Sequence, residues 1–221
     1  MSTTPKQALF AEFAAVARAL GHPHRLEILE HLAQGERGVE ALAERTGLSV
    51  ANASQHLQQL RRAGLVAARR DGKFVLCHLA DDGVLQLLSA LRHVAERNLA
   101  EVDSIVRGYF ADRDSLEPVS PDELLGRLRE GAVTVLDVRP ADEFAMGHLP
   151  GAVSMPLDQL EARLAELDPT QDVVAYCRGP YCVLSFEAVA ALRARGFKAH
   201  RLEDGLPEWR AAGLPIEAAA A

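Results

Sequence analysis

At 221 residues the chain is long enough for two domains that each bury a hydrophobic core. The formal net charge of −7 would by itself argue against nucleic-acid binding, but residues 1–115 hold 14 basic and 14 acidic side chains, and residues 116–221 hold 10 and 17. The N-terminal half is therefore neutral overall, and it contains a dense basic patch made of Arg61, Arg62, Arg69, Arg70 and Lys73, with only Asp71 opposing them.

The cysteine usage and the first residues indicate the compartment. The chain has three cysteines, Cys77, Cys177 and Cys182. Their odd number, and the lack of the spacing found in disulfide-stabilised secreted proteins, favour a reducing environment. Residues 1–7 lack the charged-then-apolar layout of a signal peptide, and no apolar run approaches the length of a membrane span. We therefore expect a cytoplasmic protein without a membrane partner.

Apolar residues that recur at helical spacing predict four helices before Leu65. Glycine or proline marks most of their ends. The predicted segments run from Ala8 to Leu20, from Pro23 to Leu32, from Val39 to Ala43 and from Ser49 to Gly64. The last two are short helices separated by a glycine-bearing turn, which is the sequence form of a helix-turn-helix.

The fourth predicted helix has a polar face suited to reading base edges. No acidic residue occurs from Ser49 to Arg70, whereas an ordinary solvated helix face includes some. Because phosphate repels carboxylates, this absence favours DNA binding over the alternative of a generic helical bundle. The candidate DNA-binding residues on this helix are Ser49, Asn52, Ser54, Gln55, His56 and Gln59.

A β-hairpin is predicted from Ala67 to His78. Asp71-Gly72 is a strong hairpin signal, and the candidate DNA-binding residues Arg69, Arg70 and Lys73 cluster around it. We interpret this hairpin as a wing that lies on the phosphate backbone. Cys77, on the second strand, is expected to be a packed thiol.

A helix with a long apolar stripe is predicted from about Asp82 to Arg107. Its stripe either covers the domain's own core or packs against a second copy of the chain; its members are Leu85, Leu88, Leu91, Val94, Ala95, Leu99 and Val102. The segments Gly21-His-Pro-His-Arg-Leu-Glu-Ile-Leu and Ser54-Gln-His-Leu-Gln-Gln-Leu-Arg-Arg-Ala-Gly-Leu-Val resemble the ArsR family of winged-helix repressors, over about residues 8–100. The resemblance implies double-stranded operator DNA as the partner and a homodimer in which the first helix and this one pack across a two-fold axis.

Members of that family often sense metals, so the resemblance also directs attention to ligands. The third predicted helix lacks the cysteine pair of arsenic-sensing members. Of the ligands found in zinc-sensing members, only His93 and Glu96, with Asp81 or Asp82, have counterparts here, and that set is incomplete. No metal and no cofactor is expected.

The second half of the chain alternates predicted strands and helices. We expect a first domain over residues 1–108, a linker over 109–119 and a second domain over 120–221. Strands are predicted at Val133–Asp137, Asp172–Tyr176 and Ala199–Leu202, and a further one at Val153–Met155. The predicted fold is thus multidomain, with a mainly α winged helix-turn-helix domain followed by an α/β domain that contains a parallel sheet with helices on both faces.

Cys177 follows a predicted buried strand and precedes a helix that begins near Val183. Unpaired N–H groups and the positive end of the helix dipole favour the thiolate at such a place, and the thiolate is the reactive form. Gly179 is free to take unusual dihedral angles, so the loop through Tyr181 and Val183 can form an amide cradle that holds an anion or an outer sulfur atom.

This loop resembles the active loop of the rhodanese family, in which the cysteine carries a persulfide. The upstream segments Val135-Leu136-Asp137-Val138-Arg139, Glu143-Phe144 and Gly147-His148-Leu149-Pro150-Gly151-Ala152, and the downstream Gly205-Leu206-Pro207-Glu208-Trp209, resemble that family in the same order. The likeness covers roughly Val119 to Ile216. In it Asp137, Arg139, Glu143 and His148 mostly fix loops.

Two departures from the family pattern bear on the chemistry. Rhodanese-related phosphatases need an arginine where this chain has Val183, so phosphoryl transfer is disfavoured. The last loop position, often serine or threonine in sulfurtransferases, is Cys182, whose thiol could attack a persulfide on Cys177 or could simply pack as a small apolar group. Arg178 either meets an anionic donor such as thiosulfate or points to solvent.

The function predicted from the sequence is that of a DNA-binding repressor whose rhodanese-like domain senses or carries sulfane sulfur, or responds to redox state. Cys177 would accept sulfur from thiosulfate, polysulfide or a persulfide, and Cys182 would attack the product. The alternative is a rhodanese-type sulfurtransferase with a separately acting DNA-binding module. A third hypothesis is that the protein binds DNA constitutively and that its rhodanese-like domain has only a structural role.

Overall fold

The computed structural model describes residues 4–110 and 118–218. Most of the predicted linker, and part of the segment considered as a signal peptide, lie outside the described residues. The chain divides into two compact units, an N-terminal unit (Met1–Val84) and a C-terminal unit (Leu85–Ala221), and each is described by itself. In this division the helices after the wing fall in the C-terminal unit, whereas the predicted boundary assigns them to the first domain.

The N-terminal unit contains the four predicted helices and the hairpin. Its elements are α1 (Pro5–Leu20), α2 (Pro23–Ala33), β1 (Arg37–Gly38), α3 (Val39–Arg45), α4 (Val50–Arg62), β2 (Val66–Asp71) and β3 (Phe74–Leu79). The helix starts follow local chemistry, because the Thr4 and Ser49 hydroxyls accept hydrogen bonds from the amides of Gln7 and Asn52. The predicted winged helix-turn-helix is confirmed.

The wing differs from its prediction in one detail. Strands β2 and β3 pair antiparallel from Val66–Leu79 to Asp71–Phe74, so the two loop residues are Gly72 and Lys73. Asp71 is therefore the last strand residue and the first of the four turn residues, and Gly72, with φ of 58°, supplies the left-handed conformation. The two-residue strand β1 pairs antiparallel with β3 and was not predicted.

The core of the N-terminal unit consists of apolar side chains from α2, α3 and α4. The predicted apolar sides of these three helices face the core, as shown by Ile28, Leu29, Leu42, Leu57 and Leu60, which are at most 3% exposed. Burying such side chains contributes about 1.5–3 kcal/mol each. The packing on the inner side of α4 leaves its polar side facing outward.

The predicted helix from Asp82 to Arg107 is not continuous. The structure has α5 (Gly83–Asn98) and α6 (Ala100–Phe110), with a break at Leu99. The side-chain amide of Asn98 donates to the Val94 carbonyl at 2.7 Å, a local bond that competes with regular helix geometry. The single long helix is therefore wrong in this detail.

The remainder of the C-terminal unit is an α/β fold. Its elements are α7 (Pro121–Arg129), β4 (Val133–Asp137), α8 (Ala141–Met146), β5 (Val153–Ser154), α9 (Leu157–Arg163), a 3-10 turn (Leu164–Glu166), β6 (Asp172–Tyr176), α10 (Val183–Ala194), β7 (Ala199–Arg201) and α11 (Leu206–Ala211). The sheet has the order β5-β4-β6-β7, and every neighbouring pair is parallel. The predicted parallel sheet is confirmed.

Both faces of this sheet are covered, as parallel sheets require. On one face Leu136, Val173 and Ala175 pack with residues of α9 and α10. On the other face Val135 and Val174 pack with side chains of α7 and α11. In the described ranges no helix is long and apolar enough to cross a membrane.

Candidate functional site

Cys177 directly follows β6, at the carboxyl end of the sheet, as predicted. The neighbouring strand β4 ends beside it at Asp137, which is in register with Tyr176. The loop Cys177–Cys182 then leads into α10, with Cys182 at the N-cap position. The backbone therefore brings a cysteine to the edge where ligands bind in open α/β sheets.

The structure joins Cys177 and Cys182 in a disulfide, with their Cα atoms 6.1 Å apart. Cys177 is 1% exposed and belongs to the apolar cluster that includes Val138, Ala175 and Val189. Cys182 is half-buried. In this oxidised arrangement solvent reaches the second cysteine more readily than the first.

The loop itself is a β-turn. The Cys182 amide donates to the Gly179 carbonyl at 3.1 Å, and Pro180 occupies the second position, which its fixed φ favours. The φ of Gly179 lies outside the left-handed region, so this turn does not use the conformational freedom of the glycine. The amide cradle through Tyr181 and Val183 stays a prediction.

The loop backbone rests against the start of α11. The Leu206 amide donates to the Cys177 carbonyl at 3.3 Å. A Cβ on Gly205 would come within 2.5 Å of the Arg178 carbonyl carbon and 2.6 Å of the Gly179 Cα. Gly205 is therefore required by close backbone approach, a role that its place in the sequence did not reveal.

Arg178 is held by a buried carboxylate. Its Nε lies 3.0 Å from Glu143 Oε2 and its Nη2 lies 2.9 Å from Oε1, a two-point contact with a side chain that is fully buried. Arg178 retains 20% side-chain exposure. The pair fixes the loop, and a role of Arg178 toward an anionic donor stays a prediction.

Asp137, Arg139 and Tyr176 form a buried polar network beneath the loop. Arg139 Nη2 donates to Asp137 at 2.6 Å and to the Gly147 carbonyl at 2.7 Å, and the Tyr176 hydroxyl donates to Asp137. The same hydroxyl accepts from the Leu149 amide at 3.1 Å. Burial, then the charge of Asp137, raises the pKa of Tyr176. These contacts hold the loops, as the resemblance implied, whereas the part played by Tyr176 was not predicted.

His148 also has a structural setting. Its ring stacks on Phe144 at 3.8 Å between centroids, its Nδ1 lies 3.0 Å from the Phe144 carbonyl oxygen, and its Nε2 lies 3.7 Å from Glu217. The backbone of Glu217 pairs with that of His148 in an antiparallel bridge. His148 thus fastens the end of the described chain to the fold.

The polar face of α4 is exposed in the N-terminal unit. The residues open to solvent are Ser49, Asn52, Ser54, Gln55 and Gln59, and His56 is half-buried. At the end of this helix an open cleft of about 590 Å³ is lined by Gln58, Arg61, Arg62, Val66, Ala67 and Ala68. The two arginines make this cleft electropositive, which suits a phosphate.

Two of the candidate DNA-binding residues on α4 contact side chains at the start of α2 or just before it. The side-chain oxygen of Gln59 accepts from Arg25, whose Nη2 also donates to the Arg18 carbonyl at 2.8 Å. The His56 ring lies 4.5 Å from the His22 ring, between centroids. Burial lowers the pKa of His56, and His22, Arg25 and His24 lower it further. Sequence spacing along α4 could not show these contacts with α2.

The wing arginine Arg69 is paired with an acid that no local sequence pattern indicated. Glu36, which precedes β1, lies 2.6 Å from Arg69 Nη2 and 3.5 Å from His78. Arg70 and Lys73 are exposed, and the Lys73 ammonium lies 5.2 Å from the Phe74 ring centroid. Part of the wing's positive charge is therefore neutralised locally.

Cys77 is buried, as expected for a packed thiol, and burial raises its pKa. Among residues 4–110 and 118–218, no group of three or more histidine, cysteine, aspartate or glutamate side chains is placed to hold a metal ion.

A winged helix and a cysteine loop of rhodanese form, on one chain, define a transcriptional regulator with a rhodanese-like domain. Residues 20–69 match the family model of a helix-turn-helix domain, and residues 120–212 match that of the rhodanese-like domain. The HTH-type transcriptional regulator Rv0324 of Mycobacterium tuberculosis is 43% identical over 212 residues, which make up 96% of this chain and 93% of that protein. The chain belongs to this family of ArsR-type regulators that carry a rhodanese-like domain.

Other relatives resemble one half each. A sulfurtransferase of Allochromatium vinosum is 34% identical over 87 residues, which cover 39% of this chain and 79% of that protein. The homodimeric winged helix-turn-helix DNA-binding domain of Mb0332 from Mycobacterium bovis, solved by NMR, is 41% identical and covers 45% of this chain and 92% of that fragment, with a TM-score of 0.42.

Proposed function

We propose that this transcriptional regulator is a homodimeric repressor whose DNA binding responds to sulfane sulfur through Cys177 and Cys182. The observation that carries the proposal is the pairing of these two cysteines at the carboxyl edge of the sheet. A thiol pair that can close into a disulfide has two stable chemical states, which is what a switch requires.

The proposed chemistry balances without a further oxidant. The Cys177 thiolate attacks the outer sulfur of a persulfide RSSH, the donor's S–S bond breaks, and RS⁻ leaves while a Cys177 persulfide forms. The Cys182 thiolate then attacks the Cys177 sulfur, which breaks the persulfide bond, closes the disulfide and releases HS⁻. The donor is reduced by two electrons, and the two cysteines are oxidised by two.

The exposure of the two sulfur atoms determines which of them a reducing thiol attacks first. Because Cys177 is buried and Cys182 is half-buried, an incoming thiolate reaches the Cys182 sulfur first. Attack there forms a mixed disulfide on Cys182 and releases Cys177 as a thiolate. A second thiol then removes the adduct from Cys182.

Dimerisation is supported by apolar side chains left exposed in the single chain. On α1, Leu9, Phe10 and Phe13 are 58%, 57% and 63% exposed. Along α5, α6 and the break between them the exposed apolar residues are Leu87, Leu91, Val94, Leu99 and Ile105. Leu85, which the sequence placed on the same stripe, is buried within the protomer and is not part of this surface. Exposed apolar stripes of this kind mark protein interfaces.

A DNA gel shift at fixed salt tests the proposal. Wild type, Cys177→Ser and Cys182→Ser are titrated on operator DNA with and without a polysulfide donor, and intact-mass spectrometry follows the cysteines. We expect a change in wild-type affinity that accompanies disulfide formation and that both variants lose. An unmodified Cys177 in treated wild type, or an unchanged response in Cys177→Ser, contradicts the proposal.

A second candidate function is sulfurtransfer as a catalytic activity, which the 34% identity to a sulfurtransferase favours. It predicts steady turnover of thiosulfate with a cyanide acceptor. Such turnover would need Cys177 but not Cys182, because the persulfide is consumed by the acceptor and not by a second thiol. Sulfurtransferase activity is indicated if Cys182→Ser retains turnover and if the DNA affinity does not change when the donor is added.

A further inference from the structure

One side of α5 reaches the cysteine loop through a polar cluster. The Tyr181 hydroxyl donates to Glu96 Oε1 at 2.5 Å, and the same oxygen lies 3.4 Å from Arg92 Nε. Arg92 also contacts Glu208 at 2.5 Å and Asp204 at 3.5 Å. All five residues, here called the α5–loop cluster, belong to the C-terminal unit.

The charged side chains of the cluster are largely buried, so water screens their ion pairs only weakly. The side chains of Arg92 and Glu208 are 18% and 16% exposed, and those of Glu96 and Asp204 are 27% and 28% exposed. Ion pairs at this depth are less screened than surface pairs. Since one guanidinium holds three carboxylates, loss of one contact forces the others to rearrange.

Two members of the cluster touch the loop that carries the cysteines. Tyr181 lies within the segment that the disulfide closes, so its position depends on the state of the cysteines. Glu208 accepts from the Gly205 amide at 3.1 Å, and Gly205 is in close contact with the backbone of Arg178 and Gly179. The loop is therefore linked to Arg92 and Glu96 by two separate routes.

The other side of α5 carries an exposed apolar stripe. Leu87, Leu91 and Val94 are 38%, 42% and 61% exposed. At roughly 100° per residue they lie on the side of the helix opposite Arg92 and Glu96. The chain reaches α5 directly from the wing, because β3 ends at Leu79 and α5 begins at Gly83.

We propose that the α5–loop cluster transmits the state of the cysteine pair to α5 and thereby to the dimer that binds DNA. The inference rests on the proposed function and names the residues that carry its regulation. Closing the disulfide fixes Tyr181 against Glu96 and holds Glu208 toward Arg92. Reduction releases the loop, changes these contacts and shifts the orientation of α5, which biases the DNA-competent population.

The test separates modification of the cysteines from its effect on DNA. Glu96→Ala removes the acceptor for Tyr181 and the pairing with Arg92, and Glu101→Ala, an exposed acid on α6, is the matched control. For each full-length protein, disulfide formation with polysulfide is followed by mass spectrometry, and Kd for operator DNA is measured in the reduced and oxidised states. Thermal melting confirms that both variants fold.

We expect wild type and Glu101→Ala to differ between the two states by about fivefold or more in Kd, in the range of ordinary allosteric coupling. In Glu96→Ala the disulfide forms as in wild type, but the ratio of the two Kd values falls below about twofold. Arg92→Met gives the same loss through the other route. Wild-type coupling that persists in both variants overturns this inference and leaves the proposed function standing, whereas a wild type without any response overturns both.

Discussion

Glu36 limits the positive charge of the wing. It lies 2.6 Å from Arg69, a residue expected on the phosphate backbone. We predict that Glu36→Gln strengthens non-specific DNA binding about three- to tenfold at low salt and steepens the salt dependence by about one counterion, because Arg69 becomes available to a phosphate. A salt titration of Kd measures both effects, and Glu40→Gln, an exposed acid on α3, is the control. An unchanged slope would show that Arg69 does not contact DNA.

His56 gives the N-terminal unit a pH dependence whose sign is fixed by its surroundings. Burial lowers its pKa from the ordinary 6.5, so the unfolded chain takes up the proton at a higher pH than the folded chain does. The stability contributed by neutral His56 is therefore present above about pH 6.5 and is lost as the pH falls through the folded pKa. We predict that His56→Gln makes the thermal midpoint of this unit less dependent on pH between about 7 and 5. The same change of thermal midpoint with pH in both proteins would contradict this prediction.

The contact between the cysteine loop and the start of α11 requires a residue without a side chain at position 205. Gly205→Ala places a methyl group within 2.5 Å of the loop backbone, which must move. We expect a loss of about 1–3 kcal/mol in the free energy of unfolding and slower disulfide formation, since Cys177 and Cys182 are no longer aligned. Denaturant melts and timed alkylation measure the two effects. Gly126→Ala, in α7 with no atom within 4 Å of the new methyl, should not show them.

At the largest scale, the proposed repressor acts as a pair of chains. We predict that Leu91→Glu or Val94→Glu converts the dimer to a monomer and lowers operator affinity by at least about 100-fold, because a single recognition helix reads only half of a two-fold site. Sedimentation gives the mass, and a gel shift gives the affinity. Leu91 and Val94 are exposed in the protomer, so the substitution should leave its melting midpoint unchanged. A dimeric Leu91→Glu protein with normal affinity would place the interface elsewhere.

Local sequence patterns predicted the order and type of nearly all the elements. Helical spacing, the Ser49 cap and the Asp71-Gly72 turn signal depend on neighbours in the chain, so local rules recover them. The alternation of strands and helices likewise predicted the parallel sheet and put Cys177 at its carboxyl edge. The two-residue strand β1 and the break at Leu99 were not predicted. Strand β1 depends on pairing with the distant strand β3, and the break accompanies a hydrogen bond from the Asn98 side chain, and neither leaves a periodic pattern in the sequence.

The partners of the side chains around the candidate sites could be identified only from contacts between elements that are distant in the chain. Arg178 meets Glu143 over a separation of 35 residues, and Tyr181 meets Glu96 over 85. The need for glycine at position 205 likewise arises from a backbone that is distant in sequence. Such contacts are set by how packed elements approach one another, which no spacing along the chain encodes. The sequence predicted a candidate reactive cysteine and a helix-turn-helix on one chain, and the fold places an α5 side chain in contact with the cysteine loop.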